Sequence, residues 1–128
     1  MVATCIAKML VEAGFPNTFP CLVGADAAPE PIVVTQGPFK RWGLAADGER
    51  GVVPVTLAVV RETSADAESV AWAASDALLV RDWEPHAGAG PLRICGIHPG
   101  APCPRGRDGS GRWVWEVEVD VTVVRRGA

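Results

Sequence analysis

Residues 112–125, RWVWEVEVDVTVVR, decide the fold, because apolar and polar side chains alternate along nearly the whole stretch. A period of two residues is the pattern of a β-strand with one face in the core and the other in solvent. The apolar face consists of Trp113, Trp115, Val117, Val119, Val121 and Val123, and the second face carries Glu116, Glu118 and Asp120. The stretch therefore predicts a long strand with three carboxylates along one side.

A second alternating run precedes it at residues 53–62, VPVTLAVVRE. Val53, Val55, Leu57 and Val59 share one face of this run, which predicts a strand that is half or fully buried. A shorter strand is expected from Leu92 to Ile97. The sequence DGSG at residues 108–111 tolerates positive φ, so it predicts the turn of a hairpin before the long strand.

An alanine-rich helix is predicted between these strands, from about Ala65 to Arg81 or Trp83. Thr63 or Ser64 provides the N-cap hydroxyl, and acidic residues follow in the first turn, where the helix dipole favours negative charge. Small residues form a thin face that can approach a sheet closely: Ala67, Ala71, Ala74 and Ala77, together with Val70 and Leu78. Trp72, Leu79 and Trp83 form a second stripe, for which we expect core packing rather than a contact between subunits.

The N-terminal part predicts a short amphipathic helix over residues 2–13, which Gly14 and Pro16 end. Brief strands are expected at 19–23 and 32–35, and the prolines around them favour places near a sheet edge. Residues 37–51 and 98–111 are rich in glycine and lack a sustained period, so both are expected to be long loops. The whole chain, residues 1–128, is thus expected to form a single α+β domain, with an antiparallel β-sheet flanked by two main helices.

The net charge and the lengths of the apolar runs argue against several classes of protein. A net charge of −3 removes the electrostatic attraction that a nucleic-acid-binding protein has for phosphates. No apolar run reaches the roughly 18 residues of a membrane span, and the N-terminus lacks the basic and apolar regions of an export signal. We therefore expect a cytosolic chain in which Cys5, Cys21, Cys95 and Cys103 are reduced.

One stretch offers possible metal ligands, because Cys95, His98 and Cys103 are spaced closely enough for zinc. A structural zinc site needs four ligands, and Cys21, His86 or Asp108 would have to provide the last. Cys95 could instead pack inward from its strand as a small apolar residue. The paired CxxC spacing of strong zinc motifs is missing, so no metal and no cofactor is expected.

Catalytic patterns are equally sparse. A cysteine nucleophile would need a base such as His98 or His86, and the sequence contains no GxSxG, P-loop or GxGxxG motif. Glu116, Glu118 and Asp120 could form an acid/base pair or a cation site, but their two-residue spacing is more typical of a solvated strand face. An enzyme is therefore not expected.

The remaining charged features are basic clusters in the two expected loops. Arg105, Arg107 and Arg112 lie in the later loop, and Lys40 and Arg41, next to Trp42, lie in the earlier one. Loop residues of this kind are usually solvated, although they also suit contacts with an acidic neighbour.

The order of these elements resembles that of the tail terminator (minor tail or tail completion) proteins of long-tailed bacteriophages. The resemblance extends from the first helix through VPVTLAVVRETSADAESVAWAASDALLVRDW to DGSGRWVWEVEVDVTVVRR, and it is closest at the glycine-containing turn, the aromatic residue and the final alternating strand. It implies an α+β subunit that forms a ring, usually a hexamer, which caps the tail tube and joins it to the head. DNA would pass through this ring without specific binding. The protein would be made in the host cytoplasm, would become part of the virion tail and would have no membrane contact.

Under that resemblance, Glu116, Glu118 and Asp120 are expected to line the lumen or a face between subunits. Lys40, Arg41 and Trp42 in one loop, and Arg105, Arg107 and Arg112 in the other, are expected to belong to arms that reach neighbouring subunits, the tube or the head connector. A head–tail connector or minor capsid subunit is an alternative of the same kind. An alternative of another class is a cytosolic α+β domain that binds zinc, or a small molecule near Trp42, Trp72 or Trp83. A bacterial protein unrelated to phage could also share this layout.

Overall fold

The structure is a computed structural model, and it describes residues 2–20, 30–45, 48–80, 88–89 and 92–125. These residues form a small α+β domain with two helices and a mixed sheet. In chain order the elements are α1 (Val2–Glu12), β1 (Thr18–Phe19), β2 (Ile32–Gln36), β3 (Lys40–Ala45), β4 (Gly48–Arg61), α2 (Ser64–Val80), β5 (Gly88–Ala89), β6 (Leu92–Pro99), β7 (Cys103–Arg107) and β8 (Trp113–Arg125).

Two long strands, β4 and β8, form the centre of the sheet. They are antiparallel, and every residue from Glu49 to Arg61 is paired with β8, from Arg125 to Trp113. The order of the main path is β1-β2-β4-β8-β6-β5. β3 pairs with the part of β4 that β2 does not reach, and β7 pairs with the part of β8 that β6 does not reach. The expectation of a purely antiparallel sheet is wrong at one place, because β1 pairs with β2 in parallel. The long connection between β1 and β2 permits this direction.

Both helices pack on the same face of the sheet. The side chains of Val55 and Leu57 on β4 and of Val119 and Val121 on β8 are at most 1% exposed, and they share one core with both helices. Because successive strand residues point to opposite faces, the alternate residues lie on the other side, which neither helix covers. We call this side, with Thr56, Ala58, Glu116, Glu118 and Asp120, the open face. The expected helices are present, but they flank only one side of the sheet.

Helix α1 ends where its sequence predicts. Gly14 has a φ of 106°, and Phe15 N–H donates to the carbonyl of Leu10 at 3.0 Å, which closes the last turn. At the other end, Ala3 N–H donates to Gln36 Oε1 at 3.0 Å and thereby ties the helix to β2.

Helix α2 begins at Ser64, and Thr63 is its N-cap, because Thr63 Oγ1 accepts from Asp66 N–H at 3.2 Å. The alanine face packs on the sheet as predicted, with Ala67, Ala71, Ala74 and Leu78 buried. The expectation that the second stripe packs in the core is wrong for Trp72 and Leu79, which are 46% and 66% exposed. The small residues bring the helix close to the sheet and leave these larger ones on the outer side; Trp83 lies outside the described residues.

The two expected loops are largely strands. Residues 37–51 contain β3 and the beginning of β4, and residues 98–111 contain β7 and the end of β6. Each edge strand carries a bulge, between Arg41 and Gly43 and between Pro104 and Gly106, and these bulges interrupt the two-residue period. Position 51 requires glycine because β3 lies very close to it: a Cβ there would lie 2.2 Å from the Lys40 carbonyl oxygen.

Neither helix in the described part is long and apolar enough to cross a lipid bilayer.

Candidate functional site

The open face brings the three predicted acids into one column along β8. Their partners across β4 are short, with Glu116 opposite Ala58, Glu118 opposite Thr56 and Asp120 opposite Pro54. Glu118 and Asp120 are exposed, whereas Glu116 is half-buried. The alternation in β8 thus correctly predicted which side chains share a face. The column stands beside small residues of β4, which leave the carboxylates of Glu118 and Asp120 in contact with solvent.

Glu116 differs from the other two acids because it has a cationic partner. Arg105, in the bulge of β7, donates from Nε to Glu116 Oε1 at 2.5 Å. This hydrogen bond, and then the negative charge of the same carboxylate, raises the pKa of Arg105. Within the described residues, Glu118 and Asp120 form no ion pair, although the negative charge of Glu118 also contributes to the raised pKa of Arg105.

The predicted basic cluster at Arg105, Arg107 and Arg112 does not form a free cationic surface. The Arg107 guanidinium lies over the Trp113 ring, 4.8 Å from its centroid, in a cation–π contact. Arg112 Nε donates to Asp108 Oδ2 at 3.3 Å. Each of these arginines therefore holds a neighbouring part of the β7–β8 hairpin.

The turn of this hairpin is organised by Asp108. Its Oδ1 accepts from the backbone N–H of Ser110 and of Arg112, each at 2.9 Å, and from the Ser110 hydroxyl at 2.7 Å. The hydrogen bond from the Ser110 hydroxyl is the main cause of the lowered pKa of Asp108. The two backbone N–H groups and the Arg112 charge lower this pKa further, whereas desolvation raises it. Gly111 adopts a φ of 85°, as the sequence DGSG predicts for this turn.

The other basic group lies on β3 and the facing residues 48–52 of β4, which together we call the β3 arm. Glu49 accepts from Arg41 and from Arg125, with Nε to carboxylate oxygen distances of 3.0 Å for both, and so links three strands. Trp42 and Leu44 project from the arm and are 66% and 87% exposed. Sequence analysis pointed to Lys40, Arg41 and Trp42 here, but it missed Glu49, whose partner Arg125 is 76 residues away in the chain.

The possible zinc ligands do not converge. Among the described residues no group of three histidine, cysteine or acidic side chains could hold a metal ion. Cys95 lies at the bulge of β6 and Cys103 begins β7, and both are exposed free thiols. The inward packing considered for Cys95 is therefore wrong, because the bulge between Ile94 and Gly96 turns the thiol out of the core. Cys21 and His86 lie outside the described residues.

A shallow trough on the open face escaped sequence analysis. It has a volume of about 330 Å³ and lies where β2, β4 and β8 meet the 108–112 turn. Its floor is mostly apolar, and its rim is charged; the lining residues are Pro31, Val33, Thr35, Thr56, Ala58, Val60, Asp108, Arg112, Val114 and Glu116. No sequence signal could have found it, because the lining comes from four separate segments that only the sheet order brings together.

No protein-family model matches the chain, and a search of curated proteins finds no significant match.

Proposed function

We propose that this chain is a structural subunit of a phage or prophage virion, a protein similar to tail terminators that forms a ring, caps the tail tube and joins it to the head. The observation that best supports this proposal is the one-sided sheet. Both helices cover one face, and the other presents the exposed carboxylates of Glu118 and Asp120, which form no ion pair in the described part of the chain. An uncovered sheet face with two exposed carboxylates suits a lumen or a face between subunits.

The electrostatics agree with passage of DNA rather than binding. Phosphates and carboxylates repel each other, and at physiological salt this repulsion extends over about 8 Å, the Debye length. A ring with Glu118 and Asp120 towards its channel would repeat the two charges in every subunit. DNA would then slide along the channel without adhering to its wall.

The projecting parts of the subunit are candidates for contacts with other proteins. The β3 arm exposes Trp42 and Leu44, and aromatic side chains are enriched in protein interfaces. The β7–β8 hairpin is stiffened by the Asp108 and Arg112 contacts, so it would present a preformed surface. In the proposed ring these two elements contact a neighbouring subunit, the tail tube or the head connector.

The titratable groups support a structural role over a catalytic one. Active sites usually shift the pKa of groups in a cleft by burial and by neighbouring charges. The pKa shifts of Arg105 and Asp108 both arise from contacts within the β7–β8 hairpin rather than from a buried cleft. We therefore propose that the protein is not an enzyme.

The decisive experiment removes the two open-face charges with little change in shape. In the phage that carries the gene, Glu118→Gln combined with Asp120→Asn should lower infectivity or ring formation, while the fold stays intact by circular dichroism. The matched control is Glu68→Gln with Asp76→Asn, which removes the same charge from exposed positions of α2. If the open-face variant equals wild type in both ring formation and infectivity, these acids have no role and the proposal loses its support.

The same surfaces would suit a head–tail connector or minor capsid subunit. Mixing the purified protein with isolated tail tubes and, separately, with emptied heads distinguishes these roles, because a terminator binds the end of the tube. A small-molecule binding domain is a second candidate, favoured by the open-face trough, whose volume lies in the range of ligand sites. Native mass spectrometry separates this candidate: a retained small molecule on a monomer or dimer supports it, and a closed ring without ligand supports the terminator proposal.

A further inference from the structure

The outer edge of β3 is open in the described part of the chain. β3 pairs with β4 on one side, and no described strand pairs with it on the other. An open strand edge presents backbone N–H and C=O groups that can pair with another chain. Proteins usually protect such an edge with charges, bulges or very short strands. β3 has two of these devices, since it begins with Lys40 and Arg41 and contains a bulge. It nevertheless has six residues and carries two large exposed apolar side chains, Trp42 and Leu44.

The bulge in β3 lies at the exposed Trp42. The register between β3 and β4 shifts between Arg41 and Gly43, so Trp42 is left without a Cα partner on β4. Bulges re-aim a side chain, and this one falls on an indole that is 66% exposed. Two residues later, Leu44 is 87% exposed. Since such side chains are costly to leave in water, the pattern points to an interaction surface rather than to a solvated edge.

The sequence of β3 is complementary to itself in one orientation. In an antiparallel pair centred on Gly43, Trp42 of each copy lies opposite Leu44 of the other, which gives two apolar cross-strand pairs by symmetry. The two Gly43 residues meet at the axis, and their positions face the other side of the sheet, away from the Trp42–Leu44 pairs. A twofold axis of this kind needs no second type of surface.

The charges select the same orientation. In the antiparallel pair the two Lys40 residues are six positions apart, about 20 Å, and the two Arg41 residues are four apart, about 13 Å. Both distances exceed the Debye length of about 8 Å at physiological salt, so the repulsion is screened. In addition, Arg41 is already paired with Glu49. A parallel pair in register would instead place Lys40 opposite Lys40 at about 4.8 Å, which is destabilising.

We propose that two copies of this chain associate through their β3 strands, antiparallel and centred on Gly43, so that the two sheets become continuous across a twofold axis. This inference does not rest on the proposed function, because it follows from the edge, the exposed side chains and the charges of β3 alone.

The size of the contact sets its strength. A tryptophan buries about 150–250 Å² when fully covered, and Trp42 has about two-thirds of its surface to contribute. Two indoles, two leucines and a five-residue strand pair fall below the 1,200–2,000 Å² of stable interfaces. The dimer is therefore weak, and it dissociates on dilution in the micromolar range.

The test is sedimentation velocity of the full chain from about 1 µM to about 500 µM, the range of affinity that small interfaces give. Wild type should pass from monomer to dimer, and Leu44→Lys should weaken the association at least tenfold. Val80→Lys is the matched control, because Val80 is 83% exposed and lies on α2 instead of β3. This control should change the dissociation constant by less than twofold.

Hydrogen exchange of the unmodified protein gives a second readout, which does not depend on how the variants fold. Backbone amides of residues 40–45 should become more protected as the dimer fraction rises, while those of β7, another outer strand, should not change. The proposal is overturned if wild type stays monomeric over the whole range, or if Leu44→Lys and Val80→Lys weaken association equally. It is also overturned if β3 gains no protection, or if a larger ring forms with β3 in contact with a different surface.

Discussion

Replacing Gly51 by alanine should detach β3 from the sheet, because there is no space for the added methyl group. The new Cβ would lie 2.2 Å from the Lys40 carbonyl oxygen and 2.4 Å from Cε1 of Phe39. An ordinary contact is about 3.4 Å, so the carbonyl would have to retreat by about 1 Å. Hydrogen bonds of the ladder span only 2.7–3.2 Å, and a shift of this size breaks those nearby. Phe39, which packs against the core, would also be displaced.

The expected cost is about 1–3 kcal/mol, the usual range for overpacking, and the gain from replacing a strand glycine, about 0.5–1 kcal/mol, offsets only part of it. For a domain of this size the loss corresponds to a melting temperature lower by about 4–15 °C. Urea unfolding followed by tryptophan fluorescence measures the free energy, and hydrogen exchange shows whether amides 40–45 lose protection. Gly109→Ala is the control, because nothing lies within 4 Å of its added Cβ. A Gly51→Ala protein with wild-type stability and a protected β3 would refute the reasoning.

Three further predictions concern the core, the open face and the turn. Leu57→Ala, at a fully buried position, should cost about 2–5 kcal/mol in urea unfolding, and Leu79→Ala, 66% exposed, should stay within about 0.5 kcal/mol; equal effects would contradict the assigned core. Glu118→Gln with Asp120→Asn should change the free energy of unfolding by less than about 1 kcal/mol, and a larger loss would mean that these acids support the fold. The folded-state pKa of Asp108 is lowered, so its stabilising effect is present above its ordinary pKa and is lost as pH falls through the lowered value. Asp108→Asn should flatten the fall in stability towards acid pH, and carboxyl NMR titration should show the low pKa directly; an unchanged profile would count against this account.

The central strands could be predicted from the sequence because their signal is local. The alternation in residues 112–125 and 53–62 reflects burial of one face, which is what the structure shows for β8 and β4. The cap at Thr63 and the alanine face of α2 are also local patterns, and both were confirmed. The side of the sheet on which each helix packs depends on the chain connections, and no local pattern encodes it.

The edge strands were misjudged for a physical reason. β3 and β7 pair along one side of a long neighbour, so their side chains need not alternate in polarity, and bulges break the remaining period. Glycine at position 51 was taken as a loop signal, but it is present because the Phe39 ring and the Lys40 carbonyl approach its Cα. Glycine in a strand thus marked close packing rather than a turn.

The candidate site was predictable only where it follows the strand pattern. Shared placement of Glu116, Glu118 and Asp120 on one face came directly from the alternation in β8. The pairing of Glu116 with Arg105 did not, because it depends on the bulge in β7. Spacing along the chain likewise misrepresented Cys95, His98 and Cys103, which lie on two different strands.

The pairing of β4 with β8 also determines when the protein can fold during synthesis. Glu49 and Arg125, which meet at one end of this pair, are 76 residues apart in the chain. The apolar face of β4 lacks its main partner until β8 has been made, so the nascent chain has no complete core before β8 has left the ribosome. Such long-range pairing folds slowly, because loop closure must precede the contacts that stabilise it. In a cell, the half-made chain would therefore depend on the ribosome surface and on chaperones to keep β4 from aggregating.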